Sequence, residues 1–252
     1  MITNFHSSHS KRNNSLISLK LPGMIALLVS RLLLFLLFQS VIAIIFRSWA
    51  FSQKYWLLTA TLTNVVSITF LFRLFSREKI SYISLFRFSK ENFMKDLWLF
   101  IAIFVISGPV VFGPNYLLSV LLWKDPAVPA AMMFQPVEKW LSVLLVAAFP
   151  VTITFAELAT YFGYIMPRLE KQIKRKWVAV ALPVAFLSLQ HITMPFIPDL
   201  RFILYRSIVF LPFALMLGIA IHKRPTLFPY FAVMHGVMDL GTAVMLIMGP
   251  GR

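Results

Sequence analysis

Residues 24–46 decide the fold class of this chain, because they form a long apolar run with a single charge. The stretch reads MIALLVSRLLLFLLFQSVIAIIF, in which Arg31 is the only charged residue. A helix that crosses a bilayer needs about 20 consecutive, mostly apolar residues. The stretch therefore predicts a membrane-spanning helix.

Six more stretches have the same character and predict further spans. The seven predicted spans cover residues 24–46, 56–72, 97–122, 140–166, 178–196, 204–221 and 228–248. Pro109 and Pro114 lie inside the third span and could divide it, which would add a short eighth span. We expect an all-α, polytopic bundle of about seven transmembrane helices. It forms one integral membrane domain over residues 1–252, with a polar N-terminal segment at residues 1–23.

The segment between the second and third spans, residues 73–96, mixes aromatic residues with Lys and Arg. This pattern suits a helix that lies in the membrane interface. An anchored loop fits the same pattern equally well, so the sequence leaves both structures open.

The composition of the whole chain agrees with a membrane protein. Hydrophobic residues make up 59% of it and charged residues 13%, and the mean hydropathy is +0.80. Soluble domains have about 45–50% apolar and about 25% charged residues, so this chain could not cover a soluble surface. The chain has no cysteine, which excludes disulfides, thiolate metal ligands and a cysteine nucleophile.

The charge of the chain is strongly positive, with 24 Lys and Arg against 9 Asp and Glu. Because these cations lie between apolar runs, the expected partners are anionic lipid headgroups, and we expect no nucleic acid. Sixteen cations fall on the side of the predicted N-terminus and seven on the other side. The cation-rich side of a membrane protein faces the cytoplasm. We therefore expect a cytoplasmic N-terminus in the cell (inner) membrane.

Among the ionisable residues inside predicted spans, four stand out as the candidate site residues: Glu157, His191, His235 and Asp239. Such groups are costly in a bilayer and usually face a cavity or one another. His235 and Asp239 are four residues apart, on one helix face. We expect the four to line one cavity, although each could instead be a packing residue satisfied by a neighbouring helix. Arg31 is interpreted as reaching the cytoplasmic headgroups.

Glu157 has no cation within one helical turn of its own span. Its partner must therefore come from another helix, or the carboxyl is neutral because burial disfavours its charge. For a carboxyl without a partner, a neutral amide is cheaper to bury. The sequence thus predicts that Glu157→Gln keeps or raises stability.

The order of these residues resembles that of the CPBP intramembrane proteases, which include the type II CAAX prenyl endopeptidases and the Abi-type proteins. The family's first motif is Glu-Glu-x-x-x-Arg-Gly, and residues 157–163 read ELATYFG. The leading Glu and the Gly match, whereas Leu158 replaces the second Glu and Phe162 replaces the Arg. The first motif is therefore degenerate.

The two later motifs complete the resemblance, which covers roughly residues 137–245. The second motif is Phe-x-x-x-His, of which residues 187–191, LSLQH, keep only His191. The third is His-x-x-x-Asn or Asp, and residues 235–239, HGVMD, match it. The resemblance implies a helical bundle with a conical cavity and hydrolysis of a peptide bond near the C-terminus of a peptide or prenylated protein.

The resemblance also assigns roles to the four residues. Glu157 would activate water, His191 would hold that water or a metal, and His235 and Asp239 would stabilise the oxyanion. Because an ionised Asp donates no hydrogen bond, Asp239 is better suited to orienting His235. Glu157, His191 and His235 would also make a zinc set with one position left for water.

Two other functions stay open. In typical members the second Glu and the Arg would form a supporting ion pair, so Leu158 and Phe162 predict an apolar contact in which that pair is lost. Their presence favours a non-catalytic relative, a membrane interaction or immunity protein. A proton-coupled transporter could use the same ionisable residues, but it would be expected to show internal repeats, and the sequence has none.

Overall fold

The chain is helical throughout the part that a computed structural model describes, residues 19–248. No β-strand forms within those residues, apart from one isolated bridge between Thr193 and Phe196. In chain order the α-helices are α1 (Leu21–Ile45), α2 (Trp49–Gln53), α3 (Trp56–Arg77), α4 (Phe93–Trp123), α5 (Val128–Met133), α6 (Lys139–Leu158), α7 (Met166–Gln172), α8 (Lys176–Leu189), α9 (Leu200–Ile208), α10 (Leu211–Lys223) and α11 (Phe228–Met248). The predicted all-α class is confirmed.

Within residues 19–248, six helical stretches are long and apolar enough to cross a membrane. They are Leu21–Ile45, Trp56–Arg77, Phe93–Trp123, Lys139–Gln172, Leu200–Lys223 and Pro225–Ile247. The fifth predicted span, residues 178–196, corresponds to the shorter apolar helix Lys176–Ile192. That helix stops early because a 3-10 turn ends it and Pro195 and Pro198, which lack a backbone N–H, follow. The chain is an integral membrane protein with six such helices in the part that the structure describes, and a seventh crossing stays a prediction.

The third span is one unbroken helix, α4, that runs through both Pro109 and Pro114. Prolines are tolerated inside transmembrane helices, because neighbouring groups and local adjustments satisfy the freed carbonyls. The division that would have produced an eighth span therefore does not occur.

The segment at residues 73–96 is closer to the anchored loop than to an interfacial helix. α3 continues to Arg77, and after it only one short 3-10 helix forms, Tyr82–Phe86. Tyr82 is buried, and its hydroxyl donates a hydrogen bond to the backbone carbonyl of Phe155 in α6. The segment is thus folded back onto the bundle.

α6 continues without a break into a π-helical stretch at Ala159–Ile165 and then into α7, so that the three form one long helical segment. Two apolar cores meet along this segment. One contains Phe149 and Ile153 together with residues of α1 and α3, and the other contains Leu158 and the π-helical residues. Glu157 is buried between Ile153 and Leu158 on the inner side of α6, next to the buried Ala156.

Candidate active site

Glu157 lies at the end of α6, two residues before the π-helical stretch begins. Its side chain is only 1% exposed. Oε1 lies 3.0 Å from Nε2 of His235 on α11, and Oε2 lies 3.5 Å from Nη2 of Arg31 on α1. Short π-helical stretches are frequent at functional sites. The expectation that a partner comes from another helix is met twice, once at each carboxylate oxygen.

His235 and Asp239 form the expected contact one turn apart on α11. Oδ2 of Asp239 lies 3.5 Å from Nε2 of His235, the same nitrogen that faces Glu157. Because ionised carboxylates only accept hydrogen bonds, this arrangement favours an imidazole that carries its proton on Nε2. The side chains of His235 and Asp239 are 14% and 19% exposed. They are therefore the part of the cluster that can be reached from outside.

A glycine brings α11 close enough to α6 for this contact. A Cβ atom on Gly236 would lie 1.9 Å from Oγ1 of Thr154 and 3.0 Å from the carbonyl oxygen of Pro150. The Thr154 hydroxyl also donates to that carbonyl, so it is held in place. The residue next to His235 must therefore be glycine if the imidazole is to reach Glu157.

His191 forms no hydrogen bond or ion pair with the other three predicted site residues. Its ring nitrogens lie more than 4.0 Å from the oxygens of Glu157, and its ring stacks on Phe210, with the ring centroids 4.0 Å apart. Nδ1 lies 2.8 Å from the carbonyl oxygen of Leu187, which can only accept a hydrogen bond. Nδ1 therefore carries a proton, so a neutral His191 has its free lone pair on Nε2.

Arg206 is a buried site residue that the sequence analysis missed. It donates to the carbonyl oxygens of His191, at 3.0 Å, and of Met194, at 2.6 Å. Its guanidinium also lies over the ring of Phe210, on which His191 stacks. Arg206 thus holds the turn that carries His191. Its position only two residues inside the sixth predicted span was the available signal.

Arg31 does not reach the headgroups, and this interpretation was wrong. Its side chain is 0% exposed. It donates hydrogen bonds to Gln190, Asn64 and Ser67 at 2.8, 2.9 and 3.1 Å. These partners come from two other helical segments and match the guanidinium donors one by one. A guanidinium with polar partners at this depth has no need to extend to the surface.

The substituted motif positions behave only partly as predicted. Leu158 and Phe162 are both buried in the larger apolar core, as expected. The loss of the ion pair is wrong, however, because Arg31 supplies a cation to Glu157 from another helix. Arg168, the other arginine that could have done so, pairs instead with Glu78.

Unpaired polar atoms concentrate at this site. Six buried side-chain nitrogens and oxygens in the described part of the chain have no hydrogen-bond partner, and four of them belong here. The four are Oε1 and Oε2 of Glu157, Nε2 of His235 and Nε2 of Gln190, and the other two belong to Thr63 and Asp96. The Glu157–His235 approach of 3.0 Å is thus an ion-pair distance without an aligned N–H. Native proteins leave few such atoms unpaired, and functional sites are one reason.

A cavity of about 320 Å³ lies elsewhere, between α4 and the face of α11 that carries Val233 and Val237. Its lining is Phe88, Phe100, Phe104, Tyr230, Val233, Met234, Val237 and Met238. None of the four predicted site residues lines this apolar cavity. Of the four predicted site residues, Glu157, His235 and Asp239 thus form one cluster of contacts, and His191 lies outside it.

The proposed zinc ligands do not fit a metal centre. Among residues 19–248, no group of three or more His, Asp or Glu side chains is arranged to hold a metal ion. Glu157 faces Arg31, a cation that would repel Zn²⁺. A zinc site needs its three protein ligands about 2 Å from one ion. No step of the reaction is therefore assigned to a metal.

Comparison of the chain with models of protein families, with curated proteins and with solved structures finds no match. Membership of the CPBP family therefore stays a prediction that rests on the motif residues.

Proposed function

We propose that the chain is an intramembrane endopeptidase of the CPBP type, with Glu157 as the base that activates water. One observation carries the proposal: Glu157, His235 and Asp239 belong to two motifs far apart in the chain, yet they form one chain of contacts. The cluster is buried among membrane-spanning helices and keeps unpaired hydrogen-bonding atoms. Purely structural ion pairs usually satisfy all their polar atoms, and this cluster does not.

The proposed reaction needs only the side chains of this cluster and one water. Glu157 takes a proton from water, and the oxygen of that water forms a bond to the carbonyl carbon of the substrate peptide. The carbonyl electron pair moves to oxygen, where a donor such as Nε2–H of His235 stabilises the charge. When the pair returns, the C–N bond breaks, and Glu157 passes its proton to the leaving nitrogen.

The other cluster residues prepare these groups. Asp239 favours the Nε2–H form of His235, because its carboxylate lies 3.5 Å from that nitrogen. Arg31 offers a positive charge at Oε2 of Glu157, which favours the ionised form that a base requires. The lone pair on Nε2 of His191 is suited to accepting a hydrogen bond from water. The substrate class, a peptide or a prenylated protein, comes from the resemblance.

A non-catalytic relative is the second candidate, and Arg31 favours it. Arg31 ties α1 to Glu157 and, through its hydrogen bonds, to Asn64 of α3 and to Gln190. Such a network can hold helices together without any reaction. Turnover distinguishes this membrane interaction or immunity protein from a peptidase.

The decisive experiment compares two matched variants, Glu157→Gln and Glu78→Gln. Each removes a buried carboxylate from an arginine, but Glu78 pairs with Arg168 outside the cluster. Detergent-purified protein is incubated with a library of free and prenylated peptides, and the products are identified by mass spectrometry. Glu157→Gln should lower the rate by a factor of about 10² to 10⁴, whereas Glu78→Gln should keep it per folded molecule.

Further variants sharpen the assignment. His235→Ala should be inactive, and Asp239→Asn should keep part of the rate, because Asn also places an acceptor oxygen beside the imidazole. Equal cleavage by wild type and Glu157→Gln would refute the role of Glu157. If the wild type cleaves none of the peptides while it elutes as a single folded species, the non-catalytic candidate replaces the peptidase.

We further propose that the N-terminus faces the cytoplasm of a cell (inner) membrane, where the cation-rich loops contact anionic headgroups. The 16 to 7 division of Lys and Arg supports this orientation. Because the chain has no cysteine, single-cysteine variants report sidedness directly. In intact cells a membrane-impermeant maleimide should label Lys54→Cys and spare Lys174→Cys, and the reverse pattern would invert the topology.

A further inference from the structure

Gln190 is buried beside the cluster, directly before His191, in the 3-10 turn that follows α8. Its Oε1 accepts a hydrogen bond from Nε of Arg31 at 2.8 Å and from the hydroxyl of Tyr161 at 3.3 Å. Nε of arginine can only donate, so the amide atom that faces it must be the oxygen. The two hydrogen bonds thus fix which end of the amide is Nε2.

Nε2 of Gln190 has two N–H donors and no hydrogen-bond partner in the described part of the chain. A buried amide nitrogen is normally satisfied, so this one has a capacity that the fold does not use. Three of the other unpaired atoms are both oxygens of Glu157 and Nε2 of His235, and Arg31 contacts both Gln190 and Glu157. Donors and acceptors are therefore left free in the same buried cluster.

Arg31 places the amide and the carboxylate together. Its Nε is hydrogen-bonded to Oε1 of Gln190, and its Nη2 lies 3.5 Å from Oε2 of Glu157. Nε and Nη2 are neighbouring nitrogens on one edge of a planar guanidinium. Gln190 and Glu157 therefore both lie against one rigid guanidinium, the first through a hydrogen bond and the second at an ion-pair distance.

The proposed reaction needs a strong donor that the other residues supply only in part. The carboxylate of Asp239 accepts hydrogen bonds, and Nε2–H of His235 is flanked by two carboxylate oxygens. An oxyanion is best stabilised by fixed donors in a site without water. Gln190 has the donors, the burial and the fixed orientation.

We infer that Gln190 is a catalytic residue whose Nε2–H donates a hydrogen bond to the substrate oxyanion, a role that rests on the proposed peptidase function. As the water oxygen bonds to the carbonyl carbon, the carbonyl electron pair moves to oxygen and the amide binds the resulting charge. When the pair returns and the C–N bond breaks, the hydrogen bond weakens. Gln190 itself gains and loses no proton.

Two variants separate this role from mere support of Arg31. Gln190→Glu keeps an acceptor for Arg31 and Tyr161 but has no amide donor, and Gln190→Met has neither. If the donor is required, both variants should lower kcat by a factor of about 10² to 10³, with KM within about threefold of the wild type. Gln39→Met is the control, because Gln39 is a buried glutamine of α1 that is hydrogen-bonded only to the backbone of Phe196, and it should keep most of kcat per folded molecule.

Each other outcome overturns the inference in a recognisable way. If Gln190→Glu keeps kcat within about threefold of the wild type while Gln190→Met loses it, Gln190 acts only by holding Arg31. If Gln190→Met folds and Gln190→Glu does not, the pH profile of kcat distinguishes the two roles. A profile at the same pH as in the wild type supports the donor role of Gln190. A profile displaced along the pH axis indicates that the substitution acts through Arg31 on Glu157. Normal rates in all Gln190 variants, with an inactive Glu157→Gln, refute this role alone. A wild type without activity refutes the peptidase and this role together.

Discussion

Replacing Arg31 by methionine should destabilise the folded protein by about 3–5 kcal/mol. Methionine fills similar volume, but it leaves the Glu157 carboxylate buried without its cation, and breaking a buried ion pair from one side costs about this much. Arg31 is 0% exposed and lies 3.5 Å from the carboxylate, so water does not replace it easily. The three hydrogen bonds that Arg31 donates are lost as well, which places the expected value toward the upper end of the range.

A double-mutant cycle tests the pair itself. Glu157→Gln alone should also destabilise the protein, because it leaves the Arg31 charge without a carboxylate. The double variant removes both charges, so its loss should be smaller than the sum of the two single losses by about 1–3 kcal/mol. Unfolding free energies come from reversible unfolding in mixed detergent micelles, followed by circular dichroism.

The control is Arg73→Met, which removes an exposed arginine from α3. A surface change of this kind should alter stability by no more than about 0.5 kcal/mol. A loss below about 1 kcal/mol for Arg31→Met, or a cycle in which the single losses add, would show that Arg31 and Glu157 are not coupled.

Three more predictions follow from other contacts. Gly236→Ala should lower the stability of the fold by about 1–3 kcal/mol and reduce peptide cleavage, because the new Cβ would lie 1.9 Å from Oγ1 of Thr154. The control is Gly241→Ala, whose Cβ would have nothing within 4 Å. In thermal unfolding it should leave stability unchanged or raise it by up to about 1 kcal/mol. Equal effects of the two would refute the close α6–α11 packing. Burial acts to raise the pKa of Glu78, but hydrogen bonds from Arg168 and a tyrosine outweigh it and hold that pKa below its ordinary value. The stability that ionised Glu78 contributes is therefore present above about pH 4.3 and is lost as pH falls through the lower folded-state pKa. The stability difference between wild type and Glu78→Gln should consequently shrink in acid. A difference that stays constant with pH would contradict the pairing of Glu78 with Arg168. Finally, dialysis against a zinc chelator should leave the unfolding temperature and any peptide cleavage unchanged, since no set of ligands for a metal is assembled in residues 19–248. A lower unfolding temperature or a loss of cleavage would show that the protein depends on a metal.

Hydropathy alone was enough to predict an integral membrane protein. A run of about 20 apolar residues is long enough to cross the bilayer, and there a helix satisfies its own backbone hydrogen bonds. Six of the seven predicted spans fall on helices of sufficient length. The same reasoning selected Glu157, His235 and Asp239, because an ionisable group is costly in hydrocarbon wherever it occurs. The spacing of His235 and Asp239 also predicted their contact, which depends only on the geometry of one helix.

The fifth span and the third show where hydropathy is insufficient. Residues 193–196 are apolar enough to extend a span, yet α8 has already ended in a 3-10 turn at Gln190–Ile192. Pro109 and Pro114 do not interrupt α4, although the same residue type follows the early end of α8. Whether a helix continues depends on where its freed carbonyls find partners, and neighbouring helices decide that.

The partners of the buried charges were decided by the tertiary structure alone. The free-energy cost of placing a charge in hydrocarbon indicates that Arg31 and Glu157 need partners. It does not predict that α1 and α6 pack so that the two residues lie 3.5 Å apart. The sign of the stability change in Glu157→Gln depends on this contact, because a carboxylate beside a guanidinium is no longer cheaper as an amide. Gln190 was invisible for the same reason: an uncharged side chain in an apolar span has no unusual cost until its neighbours are known. Sequence determines which groups must leave water, whereas only the packing of one helix against another determines what each of them meets.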